Sequence, residues 1–463
     1  MAGIAGIDRP GQQAPVTQML QKMAHRGHFG SKIVESNGTT AGAVWPEAQV
    51  RPTPPTLRQQ AAWDGSRPPL PEPAALGRER EPFALATATS DGLFLARDPV
   101  GICPLYYGRL DDETLCFASE VKALLELTHD IHEFPPGTYY NTGQGFQVFS
   151  TIEPSASLSG DADAIATSLR LRLEQAVCRK VGDQVMGSWL SGGLDSSVMA
   201  ALARPLVQEL HTFAGGTPGA PDLEFARQVS DFLNTEHHEI LVTLEDLLAV
   251  LPEVIYHLES FDALLVRSSL TNYLVARHAA GYTGAVFSGE GADELFGGYA
   301  YLKQLNPGSL PDELVDITRR LHNTALQRVD RSASAHGLVA HVPFLDLDIV
   351  QYALRIPSQL KLRRTDGATE KWILRYALVD ALPEDVLWRR KAKFWQGAGV
   401  GELLAEHAEN QLTDADFARE RTLLNGWALN TKEELMYYRI FREYFGDLRD
   451  LSWMGRTKGA PIH

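Results

Sequence analysis

Ser191-Gly192-Gly193-Leu194-Asp195-Ser196-Ser197 stands between the apolar run Val185-Met186-Gly187-Ser188-Trp189-Leu190 and the helix-forming run Val198-Met199-Ala200-Ala201-Leu202-Ala203. The order reads as buried strand, tight polar turn, helix. Two glycines let backbone N–H groups approach an anion without Cβ interference, and three serines add hydroxyl donors. The positive end of the helix dipole favours negative charge at the same place. Asp195 is the exception, because a carboxylate inside an anion-binding turn repels phosphate unless a metal ion lies between them. The turn therefore points to a magnesium-bound polyphosphate. It is not a Walker loop, since the Gly-Lys-Ser/Thr ending is missing.

Around this turn the pattern alternates. A helix over Asp163–Lys180 leads into the strand before Ser191. Leu210–Ala214 reads as the next strand, followed by a Gly/Pro-rich loop and a helix over Leu223–Leu233. His238–Val242 and Ala285–Ser288 read as further strands, and from about Leu310 the sequence is largely helical. Such alternation predicts a doubly wound parallel sheet, with ligands at the carboxyl ends of its strands. Residues before this stretch behave differently. A helix is expected over Val16–Met23, then short strands at Phe83–Thr89, Leu93–Ala96, Pro104–Gly108 and Leu115–Ser119, and a helix over Glu120–Leu127. Eight prolines crowd residues 46–74, which predicts an extended loop there. The polar stretch Glu153–Gly160 marks a boundary, giving a layered, mostly β domain over 1–150 and an α/β domain over 151–463.

The strand Ala285–Phe287 empties into Ser288-Gly289-Glu290-Gly291-Ala292-Asp293-Glu294-Leu295-Phe296-Gly297-Gly298-Tyr299. Glycines alternate with acids, so this loop can fold closely around a cation. If its strand neighbours the first one, Asp293 and Asp195 converge on one Mg²⁺ bridging phosphates.

Together these two loops resemble the synthetase domain of class B asparagine synthetases and their relatives, the β-lactam synthetases and lasso-peptide cyclases. The similarity continues through His211–Gly216, Pro221-Asp222-Leu223, His237–Ile240, Ile255-Tyr256-His257, Asp330-Arg331-Ser332, Val342–Asp346, Trp388–Lys391, Thr431–Glu434 and Tyr438–Phe441. The resemblance implies an adenine nucleotide α-hydrolase-like fold and a mechanism. A substrate carboxylate attacks the α-phosphorus of ATP, and an amine then displaces AMP from the acyl-adenylate. Asp195 and Asp293 would hold Mg²⁺, while Ser191, Gly192, Gly193, Leu194, Ser196 and Ser197 with Asp195 would cradle pyrophosphate. Leu190 and Gly215 would offer backbone contacts to adenine, and Ser288 and Gly289 would line the nucleotide. Glu290 would act as general base, and Lys391, in a basic cluster with Arg389, Arg390 and Lys393, as the cation over developing negative charge. β-Lactam synthetases place a tyrosine where Glu290 stands, so this loop sides with the asparagine synthetases.

Two departures matter. The N-terminal half is similar to an N-terminal-nucleophile glutaminase, as Ala2-Gly3-Ile4-Ala5-Gly6, Phe94–Gly101 and Phe117–Glu120 indicate. That family's nucleophile is a cysteine at position 2, and a methyl group there cannot form a thioester. The expected fold of this part is a degenerate, layered α+β Ntn-hydrolase-like domain kept as packing support. In the acceptor pocket, Leu264 and Leu265 stand where the family carries a Thr-Thr pair, ahead of Arg267, which remains available to a carboxylate. A substrate larger or less polar than aspartate is the expectation.

Composition narrows the partners. A net charge of −15 makes nucleic acid an unsuitable partner. Neither a signal peptide nor a membrane-spanning run is evident, and three scattered cysteines do not make a disulfide framework, so a cytoplasmic setting is expected. The combined expectation is an ATP- and Mg²⁺-dependent, AMP-forming amide ligase. It would act on a small-molecule or peptide carboxylate and an amine, as a homodimer in specialised metabolism. The alternatives are an ammonia-dependent asparagine synthetase, an intramolecular cyclase and a nucleotide-binding pseudoenzyme.

Overall fold

A computed structural model describes residues 1–47, 61–182, 184–364, 368–389 and 397–457. Among the described residues, eleven antiparallel strands build the N-terminal part: β1 (Gly3–Ile7), β2 (Gly30–Ser36), β3 (Thr39–Trp45), β4 (Ala61–Asp64), β5 (Ala84–Thr89), β6 (Gly92–Arg97), β7 (Tyr106–Arg109), β8 (Leu115–Ala118), β9 (Ile131–Glu133), β10 (Thr138–Asn141) and β11 (Gly145–Val148). They form two sheets, in the orders β2-β3-β1-β8-β7-β9 and β11-β10-β6-β5-β4. Small residues such as Ala84, Ala86 and Ala96 are buried among Leu85, Leu93 and Leu95, which lets the layers close tightly. The β2–β3 hairpin turns at Asn37-Gly38, both at positive φ (44° and 84°), the conformation of a two-residue turn matched to strand twist.

Three expectations need correction here. The proline-crowded segment is not loop throughout, because Ala61–Asp64 pairs with β5; residues 48–60 lie outside the described part. Glu120–Leu127 contains only a 3₁₀ turn at Val121–Ala123. Within the helical C-terminal stretch, Val339–His341 forms a strand.

The second part carries a five-stranded, wholly parallel sheet: β12 (Val185–Trp189), β13 (Glu209–Gly216), β14 (Glu236–Leu241), β15 (Ala285–Phe287) and β16 (Val339–His341), in the order β14-β13-β12-β15-β16. The chain runs outward from β12 to β14, then returns to lay β15 on the other side of β12. The strand order therefore reverses between β12 and β15, and the crevice beyond their carboxyl ends is the topological switch point. Both acidic loops open into that crevice.

One apolar core runs through both parts, joining Ile4, Phe117 and Phe134 to Met186, Phe213 and Phe287. A buried ionic network reinforces the junction. Arg26 pairs bidentately with Asp330 (2.8 and 2.9 Å), donates to Glu120 at 2.7 Å, and holds the Ala2 carbonyl at 2.8 Å. Arg331 completes the network through Glu120 and Glu259, each at 3.0 Å.

Candidate active site

The helix Leu194–Ala203 begins at Gly193, directly after β12, so its first N–H groups face the switch-point crevice. The turn is held from within. Ser191 Oγ and Ser196 Oγ lie 3.1 Å apart, and Ser196 and Ser197 donate to the Gly193 carbonyl at 3.2 and 2.8 Å. The second acidic loop presses directly against the first. A Cβ on Gly289 would sit 2.6 Å from the Asp195 carbonyl carbon and 2.7 Å from the Ser196 nitrogen, so only glycine permits this approach.

The two aspartates meet. Lys371 Nζ lies 2.6 and 2.7 Å from the oxygens of Asp195 and 2.5 Å from Asp293 Oδ1. Lys371 is buried, yet both carboxylates keep some exposure, 14% for Asp195 and 16% for Asp293. They open into a cavity of about 710 Å³ lined by Ser191, Asp195, Ser196, Ser288, Glu290 and Asp293 at one end. Trp189, Phe213, Ala214, Gly215 and Val275 form an apolar flank, and Leu264, Leu265, Ser268, Arg456 and Thr457 another wall. Glu290 is ion-paired with Arg328, which also lines the cavity. Beside them Glu294 is fully buried and accepts from the Tyr299 hydroxyl. Burial, then the charges of Glu290 and Asp293, push the Glu294 carboxyl up to about 8.

The glutamine amidotransferase domain profile matches residues 79–126, and the asparagine synthase profile matches residues 168–315 and 308–458. A probable glutamine-hydrolysing asparagine synthetase of Schizosaccharomyces pombe is 38% identical over 403 residues, covering 78% of this chain and 72% of that one. The chain belongs to the asparagine synthase family. It is an ATP-dependent carbon–nitrogen ligase with a truncated N-terminal amidotransferase domain. A glutamine-hydrolysing asparagine synthetase of Arabidopsis thaliana is 35% identical over 390 residues, covering 78% of this chain and 66% of that one. Asparagine synthetase B of Escherichia coli is 36% identical over 389 residues, with 78% and 69% covered.

As a family member, the chain keeps most expected site positions at one cavity. Leu190, Ser191, Asp195, Ser196, Gly215, Leu264, Leu265, Ser288, Gly289, Glu290 and Asp293 all line it. Others serve differently. Leu194 is buried in the core, and Ser197 is fully buried with its hydroxyl on Gly193, so both shape the turn from behind, as do Gly192 and Gly193. Arg267 does not line the cavity, because Glu433 takes its guanidinium in a two-pronged pair, with Nε at 2.6 Å. Lys391 lies outside the described residues. Its described neighbours Arg389 and Gly397 both contact Asp222, and Arg389 also reaches the Ser191 carbonyl at 3.5 Å and lies 4.0 Å over the Phe225 ring. Lys371 is absent from the expected set. It stands 176 residues from Asp195 in sequence, and no local pattern marks it.

Among the described residues no helix is long and apolar enough to cross a membrane.

Proposed function

We propose that this ligase adenylates a carboxylic acid with ATP and transfers the acyl group to ammonia or an amine, without hydrolysing glutamine. The observation that carries this reading is the meeting of Asp195 and Asp293 on one cationic point at the strand-order reversal. Their donor set suits a hard divalent cation, since carboxylate oxygens from two loops already surround an ammonium. Magnesium held there by Asp195 and Asp293 would supply charge neutralisation across the triphosphate.

The chain's own groups do the rest. The apolar flank of Phe213 and Val275 receives adenine, and the backbone at Leu190 and Gly215 borders it. The helix start after Gly193 and the hydroxyls of Ser191 and Ser196 hold the departing pyrophosphate. Lys371 keeps a fixed positive charge beside the same phosphates. A carboxylate oxygen of the substrate attacks the α-phosphorus, and pyrophosphate leaves with the electrons of the broken P–O bond. The amine nitrogen then attacks the acyl carbon, AMP departs, and Glu290, oriented by Arg328, takes the nitrogen's proton. Lys391 stabilises the tetrahedral oxygen in this reading.

Ala2 removes the thiol that glutamine hydrolysis needs, so the nitrogen comes from outside, in a cytoplasmic, specialised-metabolic setting. Pyrophosphate exchange into ATP, measured across a panel of acids with and without amines, tests the proposal. Acid-dependent exchange that needs Mg²⁺ supports it, and nucleotide binding without exchange for any acid contradicts it. The 36% identity to asparagine synthetase B favours a second reading, an ammonia-dependent asparagine synthetase. Exchange supported by aspartate above all other acids would select that one.

A further inference from the structure

The C-terminal segment Trp453–Thr457 reaches the acceptor wall along a fixed path. Trp453 is buried, edge-on to Tyr106 at 6.3 Å and stacked on Phe441 at 6.4 Å. Gly455 rests on the backbone of Asn323 so closely that any Cβ would overlap the Asn323 carbonyl. Thr457 then locks onto Asp262, its N–H and hydroxyl donating at 3.0 and 2.8 Å. Asp262 is also the cap of the helix Ala263–Ala279, accepting from the Leu265 N–H at 3.0 Å. The tail and the two leucines of the acceptor wall thus hang on a single carboxylate.

This path brings Arg456 to the cavity, beside Leu264 and Leu265. Its guanidinium lies over the rings of Phe261 and Trp427, at 5.9 and 5.6 Å. Glu434 pairs with Nη1, and Asp262 lies 4.0 Å from Nε. Neither acid lines the cavity, whereas Arg456 does, and its side chain keeps 29% exposure. Of this ion-paired group of three, only the planar cation borders the substrate space. Arg267, the expected reader of a carboxylate, is engaged by Glu433 instead.

We infer that Arg456 is a specificity-determining residue of the acceptor site. It reads a second carboxylate on an acid whose apolar body lies along Leu264 and Leu265. This inference rests on the adenylation reading for the reacting carboxylate, but not for binding. The substrate class is a dicarboxylic acid with a hydrocarbon spacer, activated at the end remote from Arg456.

The test compares adipate with hexanoate on wild type, Arg456→Ala and Arg456→Lys. Calorimetric binding, in the presence of an uncleavable ATP analogue, is measured alongside pyrophosphate exchange. Wild type is expected to bind adipate better than hexanoate. Arg456→Ala raises the adipate Kd and KM by roughly ten- to a hundredfold with kcat and the KM for ATP unchanged, as expected for a lost charged hydrogen bond. Arg456→Lys recovers part of the loss. Equal weakening of both acids, or a shift in the KM for ATP, would assign Arg456 a structural role and overturn the inference, as would wild type lacking a preference for adipate. Arg456-dependent adipate binding with no exchange would sustain the site while sinking the adenylation reading.

Discussion

Two of the places in this molecule where carboxylates meet a buried cation have opposite surroundings. In the N-terminal part, Asp64 accepts the Ala2 N–H at 2.8 Å and lies 3.8 Å from Arg26, whose remaining donors are taken by Ala2, Glu120 and Asp330. Asp64 and Arg26 have no exposure. At the switch point, Asp195 and Asp293 also converge on a buried cation, yet each keeps an open side toward a cavity of about 710 Å³. A closed network fixes the fold, because desolvated charges are tolerable only when their partners stay in place. A convergent but open one leaves carboxylate surface accessible to a ligand beside its internal cation. The first site is closed to solvent, and the second borders the cavity.

Mutations should separate the two sharply. Asp195→Asn and Asp293→Asn should each lower Mg²⁺-dependent pyrophosphate exchange by about a thousandfold or more, with circular dichroism unchanged. Near-normal exchange in either would erase the distinction between the sites. Arg26→Met should do the reverse, costing about 3–5 kcal/mol in urea unfolding by stranding buried carboxylates. Exchange per folded molecule should not change. Lys391→Ala should cost about 3 kcal/mol of transition-state stabilisation, read as kcat/KM, and a loss under tenfold would remove it from the site.

The closed network also predicts acid sensitivity. Burial pushes Asp330 up, but Arg26 outweighs it and lowers the carboxyl overall. Likewise, His322 and Arg97 overcome burial to hold Glu133 at about 2 against an ordinary 4.5. Groups depressed in the folded state contribute stability above their unfolded values and lose it as pH falls. Urea midpoints should therefore hold down to about pH 5 and decline toward pH 2, less steeply in Asp330→Asn. An equal decline in that variant would exclude the network as the cause. The smallest effect is expected for Ala2→Cys. Ammonia release from glutamine should stay undetectable, since Asp64 and Arg26 clamp the Ala2 backbone. Measurable release would show that the N-terminal site retains a glutamine pocket.

The legible parts of this protein are those encoded by local sequence. A glycine-and-acid turn between an apolar run and a helix declares its geometry within seven residues, Ser191–Ser197, and Ser288–Tyr299 does so again. Asn37-Gly38 carries an equally local hairpin signal. Contacts made at long range were hidden. β4 is four residues after a proline cluster, and its pairing with β5 is invisible until the sheet exists. β16 is only three residues long. Arg267 has the right residue type in the right register, but Glu433, 166 residues onward, decides where its charge goes. Lys371 shows the same limit from the other side.

Asp195 and Asp293 are proposed to share one divalent ion. Electron paramagnetic resonance of Mn²⁺ titrated into the protein with an uncleavable ATP analogue tests it without requiring turnover. One tightly bound Mn²⁺ per chain is expected in wild type and none in the Asp195→Asn/Asp293→Asn double variant. Undiminished Mn²⁺ binding in that double variant would contradict it.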